Sequence, residues 1–333
     1  MGEGPYWLGV DVGGTKLLGL ALAEDGTAVA SARRPVRPDH GGAQRLEDGV
    51  QAVLEDLLGQ LGGPEGVRGA GLGLPGIVGA DGRLRRAPNL QAAEGVPVLD
   101  LLERALGAVG VRDAEVAADN DATCATLAEW RFGAARGASD VVVVTVGTGI
   151  GAGLVVGGRL ARGARGAAGE AGHQVVHAGG RRCPCGRRGC WERYASGTAL
   201  GWMARRAARA GRLPGPLAAA GGRPERVTGE LVGAAATAGD PDALALVDEL
   251  GRWLAIGVAN LAEVLDCALV VLGGGVVAIG EPLLAAVRRH LRDPLVAGEG
   301  RLDVEVVAAA VGPLAGALGA AALPREQRAA EPA

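Results

Sequence analysis

Two apolar strands, each ending in a glycine turn and followed at once by a second apolar run, open the two halves of this 333-residue chain. The first runs from Trp7 to Val12, turns through Asp11-Val12-Gly13-Gly14-Thr15-Lys16 and returns from Leu17 to Ala23. After a Glu-Asp-Gly turn at 24–26, a further β-rich run reaches about Val36. The plan recurs from Asp140: Val141–Val146, then Gly147-Thr148-Gly149-Ile150-Gly151, then Ala152–Val156 and a Gly-Gly turn at 157–158. Such runs read as hairpins, and their repetition predicts a duplicated α/β unit with a cleft between the copies. Neither turn is a Walker loop: no helix follows the first glycines and no G-x-x-x-x-G-K-[ST] is present. Glycines let backbone N–H groups approach phosphate oxygens closely, as anion-binding nests. Asp11, at the end of the first strand, is suited to Mg²⁺, directly or through water. Either turn alone also fits a plain tight turn; matching positions in both halves favour phosphate.

Between the hairpins, Ala118-Asp119-Asn120-Asp121-Ala122-Thr123 follows a short strand at Ala114–Ala117 and opens a helix to about Phe132. Asp or Asn at that place is what a helix N-cap requires. A carboxylate there also stays ionised and is available to take a proton from a substrate hydroxyl, while the amide of Asn120 both donates and accepts. Later, a strand at Ala268–Leu272 ends in Gly273-Gly274-Gly275, with a helix starting near Glu281. That turn fits a backbone lying against a flat base or ribose, or a loose strand-to-helix connection.

The densest chemistry lies between Glu170 and Glu192. Glu170-Ala-Gly-His173 precedes Cys183-Pro-Cys-Gly-Arg-Arg-Gly-Cys-Trp-Glu192. His173, Cys183, Cys185 and Cys190 make a complete tetrahedral set for zinc, with no position left for water, so the site is structural. A disulfide is the alternative, but no secretory signal is recognisable ahead of the first strand, and cytosolic thiols stay reduced. Free or redox-active thiols remain a further option. Arg181, Arg182, Arg187 and Arg188 crowd the same loop, where they favour thiolates or simply form a solvated basic surface. Glu170 and Glu192 would be held by the metal-clamped loop as acceptors for a polyhydroxylated ligand.

Composition sets the limits. Hydrophobic residues are 48% of the chain and aromatics 2%, so ample cores must be packed with Ala, Val and Leu. A net charge of −3 gives no nucleic-acid footprint, and no long uncharged apolar run reads as a membrane span. A soluble cytoplasmic protein is expected. Lys16 is the only lysine among 34 basic residues.

Together these segments resemble the ROK family of sugar kinases and regulators, and within it the bacterial, actinobacterial-type glucokinases. The resemblance runs from about Leu8 to Ala322. It is carried by Asp11–Lys16, Pro88-Asn89-Leu90, Asn120-Asp121-Ala122, Val146–Gly151, Glu170–His173, Cys183-x-Cys-Gly-x-x-Gly-Cys-x-Glu192 and Arg193-Tyr-Ala-Ser-Gly197. It implies an actin-like (ribonuclease H-like) fold of two α/β domains around a cleft, and transfer of the ATP γ-phosphate to O6 of glucose. Asp121 matches the family's catalytic base. Asn89, Asn120, Glu170, His173 and Glu192 match its sugar ligands, and His173 is also a zinc ligand there. Asp11, Gly13, Gly14, Thr15 and Lys16 match the first phosphate loop, near Mg²⁺. Gly147, Thr148, Gly149 and Gly151 match the second, and Gly274 and Gly275 the nucleotide-side turn. Two departures stand beside the base, where Asp119 replaces the usual Glu and Thr123 the usual Asn.

Other acceptors of the same chemistry are N-acetylglucosamine, N-acetylmannosamine, mannose and fructose, and polyphosphate is an alternative donor. A sugar-responsive repressor is disfavoured, because the ten residues ahead of Asp11 hold no DNA-reading module. The expected layout is an N-terminal domain of 1–119 rejoined by a helix at about 311–323, and a larger domain of 120–310 with a zinc-bearing insertion at about 163–235. A disordered tail is expected at 324–333. The resemblance also implies a homodimer or homotetramer.

Overall fold

A computed structural model describes residues 4–35, 42–88, 90–293, 296, 298 and 303–330. The chain divides into two compact units. One comprises Met1–Gly137, Leu160–Ala168 and Val311–Ala333; the other comprises Ala138–Arg159 and Gly169–Ala310.

In the first unit, β1 (Tyr6–Val12) pairs antiparallel with β2 (Lys16–Ala23), and β2 with β3 (Ala28–Pro35). On the other side of β1, β4 (Val67–Leu74) and β5 (Glu115–Asn120) add in parallel, giving the order 3-2-1-4-5. Nearly every residue of β1 is buried, because helices cover both faces of the sheet. The helices α1 (Ala43–Leu61) and α2 (Val98–Ala108) contribute Leu46, Val50, Val53, Leu54, Leu101 and Leu102 to one core. Each such burial stabilises by about 1.5–3 kcal/mol.

The helix α3 (Asp121–Phe132) and the C-terminal helix Ala315–Ala330 pack together, and the latter lies on β1 and β4. Glycines set that closeness. A side chain on Gly71 would strike the Ala320 carbonyl, one on Gly9 the Ala317 carbonyl, and one on Gly319 the Cys124 carbonyl. Pro324 sits inside this helix and cannot donate to the Ala320 carbonyl four residues back.

Two expectations are corrected here. The domain break falls after Gly137, not after 119, because α3 buries its face against the C-terminal helix. The segment beginning at Pro324 is not a disordered tail, since the helix continues to Ala330. Glu326 takes Arg131 at 2.6 Å, Arg328 pairs with Glu115, and Arg325 stacks over Trp7. Residues 331–333 lie outside the described residues.

The second unit repeats the plan. Strand β6 (Val141–Val146) pairs antiparallel with β7 (Ile150–Val156), which is flanked by β8 (Arg159–Leu160). Strands β9 (Leu269–Gly273) and β10 (Glu305–Ala308) run parallel to β6 on its other side, giving 10-9-6-7-8. The two sheets thus have the same order, as the twin glycine turns predict. A 25-residue helix, Pro241–Leu265, buries Leu246, Val247, Leu250, Leu254 and Val258 in this unit's core. Among the described residues no helix is long and apolar enough to cross a membrane.

Candidate active site

Asn120 and Asp121 sit where β5 meets α3. Asn120 is the N-cap: its Oδ1 accepts from the N–H groups of Ala122 (2.9 Å) and Thr123 (3.3 Å). Its Nδ2 donates to the Gly76 carbonyl at 3.1 Å, which uses one of two amide hydrogens and leaves one for a ligand. The capping role therefore does not exhaust this side chain. Asp121 follows as the first helical residue, and its Oδ1 accepts from the Ala122 N–H at 2.8 Å. The positive end of a helix favours a carboxylate there.

Asp11 lies at the end of β1, and the turn after it is closed by the Gly13 N–H on the Lys16 carbonyl at 2.9 Å. Gly14 and Thr15 are exposed at the tip of this turn. Burial, and then the Asp121 carboxylate, raise the Asp11 carboxyl from 3.8 to about 7, against the opposing charge of Lys16. Two neighbouring carboxylates are hard oxygen donors of the kind suited to Mg²⁺, and a dication beside them would relieve their repulsion. Asn89 lies outside the described residues.

In the second unit the four metal-ligating side chains come together, with the ligand atoms of His173, Cys183, Cys185 and Cys190 all within 4.8 Å of one another. Cys185 and Cys190 Sγ are 3.6 Å apart, and Cys183 Sγ is 3.8 Å from His173 Nδ1. A tetrahedral zinc with bonds of about 2.0–2.3 Å places its ligand atoms about 3.5–3.8 Å apart, so the set fits the ion. Sulfurs at this spacing are not disulfide-bonded. The loop that presents them is a tight turn, with Cys183 N–H on the Arg187 carbonyl (2.8 Å) and Gly186 N–H on the Cys183 carbonyl (3.0 Å).

Burial and the Glu192 carboxylate push the Cys183 thiol up, and burial with the Cys185 thiol pushes Cys190 up. Cys185 is lowered: burial raises it, but the Arg187 backbone N–H, its neighbouring thiols and the Arg187 charge outweigh that. A bound dication would deprotonate all three. The loop is pinned by Trp191, fully buried, whose Nε1 donates to the Trp253 carbonyl at 2.7 Å.

The two flanking carboxylates frame this cluster. Glu170 Oε2 is 3.8 Å from His173 Nε2, and Glu192 Oε1 is 3.8 Å from His173 Nδ1 and 3.0 Å from Cys183 Sγ. Glu192 also reaches the second glycine turn, since a Cβ on Gly149 would lie 2.7 Å from Glu192 Oε2. The turn itself is held by α4 (Gly197–Arg209): Gly197 N–H donates to the Gly147 carbonyl (2.8 Å) and Thr198 Oγ1 to the Thr148 carbonyl (2.6 Å). Gly151 lies inside β7, opposite Thr145.

Beside this turn is a cavity of about 1020 Å³, lined by Gly147, Thr148, Gly197, Thr198, Gly229, Gly233, Gly275 and Val276. It joins the second glycine turn to the turn after β9 within one unit. Gly274 precedes it, with φ of 87° and its α-carbon against the Val146 peptide. Gly229 and Gly233, on α5 (Gly229–Thr237), were not expected here. Glycine at i and i+4 of a helix leaves a bare strip, but among 59 glycines that signal is faint.

Residues 7–327 match the model of the ROK family. This chain belongs to the ROK family. A glucokinase of Streptomyces coelicolor is 34% identical over 322 residues, covering 96% of this chain and 97% of that protein. A kanosamine kinase of Amycolatopsis mediterranei is 34% identical over 328 residues, covering 96% of each. Among solved structures, a ROK glucokinase of Streptomyces griseus in complex with glucose and AMPPNP superposes with a TM-score of 0.83 at 35% identity, covering 96% of this chain and 99% of that one. The chain shares the actin-like fold of the ROK glucokinase on which it superposes.

Proposed function

We propose that this ROK protein is a glucokinase that transfers the γ-phosphate of ATP to O6 of glucose. The observation that carries this reading is the Asp11–Asp121 pair: two acids near enough for one to raise the other, one beside a phosphate-type turn and one at a helix N-terminus. Such divergent environments assign divergent roles.

Asp121 accepts the proton of the acceptor hydroxyl as its oxygen attacks the γ-phosphorus and ADP leaves. Phosphoryl transfer asks a protein chiefly for positioning and charge neutralisation. Backbone N–H groups of Gly13–Lys16 and Gly147–Gly149 serve the phosphates, and the 1020 Å³ cavity takes the nucleoside. Asp11 would hold Mg²⁺, which neutralises phosphate charge when bound. Glu170, Glu192, His173 and the remaining Asn120 N–H hold sugar hydroxyls. A site built from such acceptors rejects analogues lacking those hydroxyls, since buried acceptors are then left unpaired. Asn89 is proposed as a further sugar ligand. Zinc on His173, Cys183, Cys185 and Cys190 is structural, and reduced thiols there fit a cytoplasmic enzyme.

The test is ADP release with Mg·ATP across glucose, kanosamine, N-acetylglucosamine, N-acetylmannosamine, mannose and fructose. Glucose is expected to give the highest kcat/KM. Preference for an amino or N-acetyl sugar would replace the substrate and keep the chemistry; no ADP with any of them would refute the ATP-dependent kinase.

A further inference from the structure

Asp119 and Arg162 have no role in the reaction described above, yet they stand next to its base. Asp119 is 6% exposed. A carboxylate so buried is tolerated only when paired, and both its oxygens are committed. Oδ2 accepts from Arg162 Nε at 2.6 Å, and Oδ1 accepts from the Asn120 backbone N–H at 2.8 Å. Asn120 then spends its Oδ1 on Ala122 and Thr123, and Asp121 shares the same Ala122 N–H. Each hydrogen bond in this chain fixes the orientation of the next, from the guanidinium to the base.

Arg162 comes from Leu160–Ala168, a short stretch that packs in the first unit although the sequence on either side belongs to the second. Its loop is closed by the Ala168 N–H on the Arg162 carbonyl at 3.1 Å, and Gly166 lies with its α-carbon against the Val78 carbonyl. Burial pushes the Cys124 thiol, on the first turn of α3, up; the carboxylates of Asp119, Asp11 and Asp121 add to that and the Arg162 cation opposes it. Arg162 Nη2 is buried without a hydrogen-bond partner, and the guanidinium bonds to Asp119 through Nε.

Resting on the kinase reading, we propose that Arg162 and Asp119 are a positioning pair that orients Asn120 and Asp121 for proton abstraction. Without the cation, Asp119 is a buried unpaired charge; it must take a proton or turn away, and the Asn120 backbone loses its acceptor. The base then keeps its chemistry and loses its aim.

The experiment compares wild type, Arg162→Ala, Arg162→Lys and Asp119→Asn in kcat, glucose KM and calorimetric glucose Kd, with and without added guanidinium chloride. Arg162→Ala is expected to lose about 100-fold in kcat, the scale of a misplacement of about 1 Å, with glucose Kd within about threefold of wild type. Arg162→Lys recovers most of that loss, and millimolar guanidinium restores part of the activity of Arg162→Ala while leaving wild type unchanged. A folded Arg162→Ala with wild-type kcat overturns the proposal, as does a loss confined to KM that guanidinium does not rescue. Should Arg162→Ala fail to fold, the isosteric Asp119→Asn decides: lowered kcat at unchanged Kd supports the pair, and wild-type kcat overturns it. A wild type inactive on every hexose would sink the kinase reading and the pair together, whereas an active wild type with an indifferent Arg162 removes the pair alone.

Discussion

Cys183 Sγ lies 3.0 Å from Glu192 Oε1, and the other oxygen of the same carboxylate fills the place where Gly149 has no side chain. One acidic side chain therefore touches both the metal cluster and the second glycine turn. Its orientation depends on the state of a thiol that zinc would convert to a thiolate. Metal, proposed sugar ligand and proposed phosphate turn are coupled through a single residue.

Cys185→Ser removes one of four zinc ligands. Zinc content should fall well below one ion per chain, and glucose Kd should rise about 10- to 100-fold, the scale seen when support around a metal site is lost. Metal analysis and calorimetry on the same sample check both. Unchanged glucose affinity in zinc-free protein would separate the metal from the pocket.

Gly149→Ala places a methyl 2.7 Å from Glu192 Oε2. The oxygen ends a side chain, so the carboxylate shifts while the turn stays. Glucose KM is expected to rise about tenfold, more than the ATP KM, with zinc content unchanged, because about 1.4 kcal/mol of lost hydroxyl contact is a factor of ten. Steady-state kinetics in both substrates would show it; an effect on ATP alone would contradict the contact.

Asp11 makes stability depend on pH in a defined direction. Its folded-state carboxyl is raised from 3.8 to about 7, so between about pH 4 and pH 7 the folded chain binds more protons than the unfolded chain. Stability from this group is therefore greatest below about pH 4 and lost as pH rises to about 7. The full loss is about 4 kcal/mol in the absence of Mg²⁺. Asp11→Asn should abolish turnover and be the more stable protein at pH 8, with a smaller change between pH 5 and 8. Denaturant melts at those two pH values, in chelator, test the sign.

Gly257→Ala drives a methyl into the Trp191 ring. Overpacking of a core site costs about 1–3 kcal/mol, and Trp191 adjoins Cys190. Both the unfolding midpoint and resistance of zinc to chelator should fall, as thermal melts with and without chelator would reveal. A midpoint lowered with zinc retention unchanged would show that Trp191 does not anchor the loop.

What was legible in the sequence was local. The four side chains of the candidate zinc cluster fall within eighteen positions, and the twin glycine turns announced a repeated unit, seen in two sheets of one strand order. The missed features depend on distant partners. Arg162 pairs with Asp119 from 43 positions away, out of a stretch whose neighbours belong to the other unit. The helix beyond Pro324 brings Glu326 to Arg131 and Arg328 to Glu115, contacts between distant positions that no local propensity carries. Gly229 and Gly233 line the cavity from a helix where glycine normally signals only weakness.

The most direct test of the account is Asp121→Asn, assayed for ADP release with Mg·ATP and glucose beside calorimetric glucose binding. Turnover is expected to fall by at least about 10³-fold, within the range for removal of a general base and its alignment, while glucose still binds within about threefold of wild type. Wild-type turnover in this variant would contradict the assignment of Asp121 as the base.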